Sequence, residues 1–221
     1  MTNGSDTDTV QQTTLILVRH CESEWNTEGR IQGHTDSPLT ARGRLQAQQV
    51  TARLAKIEIV AAYSSDAGRA RDTAELIAAP RGLTVSVRED LRERCYGALE
   101  GKTLEEAARE DTGWLEAWRA DRLRLAPPGG ETQPEMAHHV MGALREIVAA
   151  HPGRNVAVVT HGGPIKSAVL DILQTPISSW DRTWVSNGSI TILRGTAELL
   201  RVASFNDTCH LEAEPPRRKY V

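Results

Sequence analysis

No stretch of these 221 residues approaches the roughly 20 consecutive apolar residues that a membrane-spanning helix needs. The N-terminal MTNGSDTDTVQQTT lacks the apolar core of a secretory signal. Cysteine is scarce. Cys21, Cys95 and Cys209 are too few and too scattered for a disulfide framework, and they fit a reducing, cytoplasmic setting. A strong charge of either sign is missing too. The formal net charge is −3 and the one basic cluster, PPRRKYV at the end, is short, which argues against nucleic acid as a partner. No cysteines or histidines carry the close paired spacing of a zinc site, and arginines beside His20 and His161 would repel a cation. GGPIKS lacks the glycine-to-lysine spacing of a Walker loop.

What is present is a globular composition, 39% hydrophobic and 25% charged, long enough for one α/β domain with its own core. Residues 1–13 are polar and read as a disordered leader, residues 14–211 as a single domain, and residues 212–221 as a polar tail. TLILV is a strand candidate, followed by a helix from the Thr40 cap with Leu45, Val50 and Leu54 on its apolar face. Further strands are expected in EIVAAYSS, LTVSVRED and NVAVVTH, and a hairpin in SITILRGTAELLRVASF. Helices are expected in GRARDTAELIAA, stopped by Pro80, in QPEMAHHVMGALREIVAA and in GGPIKSAVLDIL. The alternation predicts a three-layer αβα sandwich with a mainly parallel central sheet and an antiparallel C-terminal hairpin. Residues from about 99 to 134 read as an insertion or lid, with Trp114 and Trp118 one helical turn apart as packing residues.

Two strand ends each carry a histidine, His20 after VR and His161 after VVT. Arg69 opens the helix after the second strand, and Glu93 follows the third. In a parallel sheet these ends share one edge, so two histidines, Arg19, Arg69 and a carboxylate converge there. Guanidinium forks match phosphate oxygens. An imidazole among guanidiniums resists protonation and stays nucleophilic. A glutamate at the rim can hold a proton for a leaving alkoxide. That set suits phosphoryl transfer through a phosphohistidine, with no metal or cofactor.

The segments LVRHCESEWN, GRIQGHTDSPLTARG, SSDAGRARDTAE, LRERCYGALEG, PGGET, THGGPIK and NGSI resemble the histidine phosphatase superfamily, in its phosphoglycerate mutase-like branch, from about Thr14 to Leu193. The resemblance implies that His20 becomes phosphorylated. It implies that Arg19, Arg69 and His161 hold the phosphoryl oxygens, with help from the Gly162 N–H. Asn26 would lie near the phosphate, Gln32 and Gly33 on the substrate side, and Glu93 would give and take the proton. Arg94 and Tyr96 are further candidate substrate contacts; Arg94 otherwise faces solvent and Tyr96 otherwise packs.

Mutase patterns of that branch carry a lysine eleven residues after the glutamate, where this chain has Leu104, and an adjacent arginine pair, where it has the separated Arg119, Arg122 and Arg124. The expected activity is therefore hydrolysis of a small-molecule phosphomonoester, with mutase-type transfer as the alternative and a non-catalytic phospho-ligand binder as a third. A homo-oligomer is compatible with the sequence. His138, His139 and His151 have no evident carboxylate partner and read as solvent or packing residues. Cys21 stands where the pattern has glycine. It is either a tolerated small residue or, if close to Arg19 and Arg69, a thiol of lowered pKa that oxidises readily.

Overall fold

The computed structural model describes residues 11–110 and 113–211. It has six strands: β1 (Thr13–Arg19), β2 (Ala61–Ser65), β3 (Val85–Arg88), β4 (Asn155–Thr160), β5 (Ile190–Gly195) and β6 (Leu200–Asp207). The central β1 and β4 are apolar, β-branched runs covered on both faces, whereas the edge strands β3 and β6 are partly exposed. Their spatial order is β3-β2-β4-β1-β5-β6. The first four in that order are parallel, β5 runs antiparallel to β1, and β6 antiparallel to β5. The helices are α1 (Glu24–Glu28), α2 (Ala41–Leu54), α3 (Gly68–Ala78), α4 (Leu104–Arg109), α5 (Leu115–Ala120), α6 (Gln133–Ala150) and α7 (Gly162–Ile172). None among the described residues is long and apolar enough to cross a membrane.

The period-two pleat splits the core into two layers. Leu15, Leu17, Val156, Val158 and Leu193 face α6 and α7, packing on Met136, Val140, Leu144, Ile147 and Ile165. Ile16, Val18, Ala157, Val159 and Ile190 face α2 and α3, packing on Val50, Leu54, Ala70, Ala74 and Ile77. This is the expected three-layer sandwich.

Local chemistry sets the element ends. The Thr40 hydroxyl accepts from Gly43 N at 2.9 Å and starts α2. Thr132 and Glu135 close a capping box on α6. The helix α3 stops before Pro80, which lies in a 3-10 turn, Ala79–Arg81. Leu45, expected on the buried face of α2, is 46% exposed. It lies five residues before Val50, about 140° around the helix, while Gln46 and Ala47 take the inward positions. Thr13, expected at the end of the leader, belongs to β1: it is buried, and its hydroxyl donates to His151 O at 2.7 Å. Residues 1–10 and the expected tail lie outside the described residues.

The insertion carries its own apolar cluster of Leu99, Ala107, Leu115 and Trp118, with Tyr96 and Trp114 packed against it. What ties it to the body is Arg94. Its guanidinium donates to Glu131 O at 2.7 Å, to Leu125 O at 2.7 Å and to Arg122 O, and the residue is 2% exposed. The solvent alternative for Arg94 is thereby corrected: each of its three guanidinium nitrogens donates to a loop carbonyl, which needs a donor once buried. Arg94→Met keeps bulk but removes the donors. It should lower unfolding stability by about 3 kcal/mol and speed proteolysis within residues 113–131. Unchanged stability and protease resistance would contradict this role.

Candidate active site

Strand β1 delivers Arg19 and His20, β4 delivers His161, and β2 ends on Ser65. Because these strands are parallel, their C-terminal ends form one edge, and His20 N closes onto Thr160 O at 2.8 Å. The His20 and His161 rings meet edge to face, with centroids 5.2 Å apart.

The tautomer of His20 follows from its neighbour. Nδ1 lies 2.8 Å from Cys21 O, and a carbonyl only accepts, so the proton sits on Nδ1 and Nε2 carries the lone pair. Burial, then the charges of Arg69 and Arg19, hold the imidazole well below its usual 6.5; the Cys21 carbonyl pulls the other way and is outweighed. An unprotonated ring nitrogen is thus kept ready as a nucleophile.

For His161 the neighbour is a pure donor. Arg69 Nη2 lies 3.2 Å from its Nδ1, which therefore accepts, while its Nε2–H donates to Ser65 Oγ at 2.9 Å. Burial, then Arg69, lowers its pKa well below 6.5 as well. The resemblance implies a donor to phosphoryl oxygens; here the one N–H of His161 is directed at Ser65.

Arg69 rises from the first turn of α3 and is 1% exposed. Its Nη1 donates to Thr35 O and Asp36 Oδ1, each at 2.9 Å, and its Nη2 to Gly33 O at 2.8 Å. Its Nε is buried with no hydrogen-bond partner among the described residues, a donor that a phosphoryl oxygen would satisfy. Arg19 is anchored by Nη1 to Val185 O at 2.6 Å, and its guanidinium lies beside Gly162. Gly162 opens α7, whose positive end adds to the field at this edge.

The carboxylate of Glu93 is fixed by backbone: Oε1 accepts from Arg94 N at 2.9 Å and Oε2 from Gly163 N at 3.0 Å. A Cβ on Gly163 would stand 2.0 Å from Glu93 Oε1, so any side chain there would push the carboxylate from this position. Asn26 Oδ1 accepts from Ser23 N at 3.1 Å and from Asn187 Nδ2 at 3.0 Å; Asn187 Nδ2 also donates to His20 O at 3.0 Å. Gln32 Oε1 receives Ser23 Oγ and Ser37 Oγ at 3.0 and 3.2 Å. Gly33 serves through its carbonyl, with φ at +55° and a Cβ excluded by Glu100 Oε1 at 2.2 Å. The Tyr96 ring has Arg94 Cζ 5.2 Å from its centroid and packs in the insertion.

The structure decides between the two readings of Cys21 in favour of the tolerated small residue, and it changes the expectation for His139. Cys21 packs with Leu39 and Ala47, and burial pushes its thiol up to about 12, so it is not an activated thiolate. Desolvation dominates because the side chain points into this apolar cluster. His139 does have a carboxylate partner: Glu131 Oε2 lies 3.4 Å from its Nε2 and raises its pKa. Glu131 also lies 3.8 Å from His34 Nε2, in an open cavity of about 360 Å³ that none of the reaction-centre residues lines. Among the described residues, no group of three or more His, Cys, Asp or Glu is placed to hold a metal ion. Ser65, Asp36, Gly163 and Asn187 were absent from the sequence-derived set. Their only signals were the strand-end YSS, the HTDS stretch, the doubled glycine of THGG and NGSI.

Residues 15–208 match the family described as the histidine phosphatase superfamily (branch 1). Among curated relatives, phosphoglycerate mutase-like protein 4 of Arabidopsis thaliana is 40% identical over 73% of this chain and 72% of its own. The metal-independent phosphoserine phosphatase of Arabidopsis thaliana is 37% identical over 91% of this chain and 84% of its own. Among solved structures, YhfR of Bacillus stearothermophilus superposes with a TM-score of 0.84 at 37% identity, covering 90% of this chain and all (100%) of that one.

Two outcomes follow from this geometry. Gly163→Ala should displace the Glu93 carboxylate and cut turnover of an alkyl phosphate by about a hundredfold in a folded protein; near-normal turnover would refute the close contact. The depressed imidazoles also make stability fall with acid. Below pH 6.5 the unfolded chain takes up protons that native His20 and His161 refuse, so each costs about 1.4 kcal/mol per pH unit until its folded pKa is reached. His20→Ala should remove one such contribution from the slope of unfolding free energy between pH 6.5 and 5; an unaltered slope would show that native His20 protonates normally.

Proposed function

The chain belongs to branch 1 of the histidine phosphatase superfamily, and on that premise we propose that it hydrolyses a small-molecule phosphomonoester through a phosphohistidine on His20, without a metal. The observation that carries this reading is the His20 tautomer: a buried, unprotonated Nε2 beside Arg19 and Arg69.

In the first step the Nε2 lone pair attacks phosphorus and the ester P–O bond breaks. The leaving alkoxide takes a proton from Glu93 and departs as an alcohol. Arg19, the free Nε of Arg69 and the N-terminus of α7 balance the charge on the equatorial oxygens, and His161 holds Arg69 in place. In the second step a water attacks phosphorus and gives its proton to the Glu93 carboxylate. The P–N bond breaks, its electron pair returns to Nε2, and inorganic phosphate leaves. The network of Asn26, Asn187 and Ser23 fixes the backbone around His20.

The names of the relatives point both to phosphatases and to mutases. Hydrolysis is favoured because the position of the mutase lysine is Leu104, at the start of α4, and no adjacent arginine pair stands in the insertion. The test is turnover of O-phosphoserine, 3-phosphoglycerate and p-nitrophenyl phosphate in EDTA. Activity and acid-labile phosphorylation should vanish in His20→Ala. Glu93→Gln should slow the two alkyl phosphates far more than the aryl one, whose leaving group needs no proton. Labelling that survives His20→Ala would sink the assignment. Transfer from 2,3-bisphosphoglycerate to a monophosphoglycerate outpacing hydrolysis would establish the mutase instead.

A further inference from the structure

Lys166 lies on α7 one turn beyond Gly163, whose N–H holds Glu93. Its ammonium sits 4.3 Å from the centroid of the Trp180 ring, in the 3-10 turn Ile177–Arg182. Among the described residues it has neither an ion pair nor a hydrogen bond, although it is shielded from solvent enough to lose part of its hydration. Burial, with the charges of Arg122 and Arg19, brings it down to about 8 against the opposing pull of Asp181 and Glu93. Those four groups come from the insertion, β1, the 3-10 turn and the segment after β3, so Lys166 stands where the elements around Glu93 meet.

Next to it, Asp181 pairs with Arg122 of the insertion. That carboxylate offsets most of the Arg122 charge, which leaves one cation in the group without a counter-ion. The indole face lies against the ammonium itself and fixes its position, which leaves the donors on the side away from the ring to meet a ligand. A monoanion arriving there would gain charge-assisted hydrogen bonds and relieve the repulsion among Lys166, Arg122 and Arg19. A second phosphate, with its larger charge, would find one free cation too few.

We propose that Lys166, with Arg122 beside it, determines specificity by receiving a carboxylate on the leaving-group side of Glu93. The preferred substrates are then phosphomonoesters of hydroxy acids or amino acids. This rests on the phosphatase reading above, and it supplies the acid-reading charge that the mutase lysine and arginine pair would otherwise provide.

The test reads binding, so that it does not depend on turnover. In the His20→Ala protein, calorimetry compares O-phosphoserine with O-phosphoethanolamine, which lacks the carboxylate, and 3-phosphoglycerate with glycerol 3-phosphate, which has a neutral hydroxymethyl group in its place. The carboxylated partner of at least one pair should bind about tenfold tighter. Adding Lys166→Met should bring that ratio below about threefold while leaving affinity for the ligand without the carboxylate within about twofold, and Lys166→Arg should retain the preference. If Lys166→Met fails to fold, Arg122→Gln, at a more exposed position, should lower the same ratio by about threefold. A ratio below about fivefold in both pairs, or one that survives these substitutions, overturns the proposal. Turnover of the wild-type chain is measured separately: carboxylate-dependent binding without any hydrolysis would sink the phosphatase reading alone.

Discussion

The arrangement depends on withholding water from an imidazole while surrounding it with guanidinium. His20 is 3% exposed and lies within the fields of Arg69 and Arg19. Burial and like charge both disfavour the imidazolium, and the carbonyl of the next residue, Cys21, dictates which nitrogen keeps its lone pair. A lone pair beside guanidiniums that match phosphate oxygens suits attack on phosphorus. Exposed to water, the same ring would be half protonated near neutral pH.

Keeping Arg69 buried has its own cost, and the surrounding loop offsets it. Desolvating a guanidinium is tolerable only when its donors are met. Gly33 O, Thr35 O and Asp36 meet two of its nitrogens, and His161 meets one of them as well. The loop after α1 is thus less a wall of the pocket than the mould of the cation. Arg94 plays a comparable part for the insertion, where carbonyls of residues 122, 125 and 131 converge on it. The insertion in turn brings Arg122 over α7 to Asp181, beside Lys166. One buried cation therefore moulds the loop after α1 and another holds the insertion.

Much of this was readable beforehand where a pattern is local. Strand runs, helix caps at Thr40 and Thr132, the stop at Pro80 and the C-terminal hairpin need only neighbours within a few residues. So does the placing of His20 and His161 at strand ends. Legibility fell where a side chain chooses between directions. Leu45 turned out because the helix phase set by Val50 and Leu54 left it about 140° off. Arg94 turned toward loop carbonyls about 30 residues away rather than toward solvent. The Cys21 thiol entered an apolar cluster with Leu39 and Ala47, and burial outweighed the opposing pull of a hydrogen bond with Thr73. His139 found Glu131, eight residues earlier and outside its helix.

By itself the sequence determined the αβα alternation, the family pattern and the residue types that meet at one edge of the sheet, because each is carried by short-range periodicity or by motifs in order. Only the tertiary structure decided which nitrogen of His20 is free, which carbonyls hold Arg69, how closely Gly163 approaches the Glu93 carboxylate, and that Lys166 rests on Trp180 with no ion pair among the described residues. Hydrogen-bond direction, desolvation and the fit of a carboxylate against a backbone depend on atoms distant in the chain and brought within a few ångströms by packing. No local pattern encodes those distances.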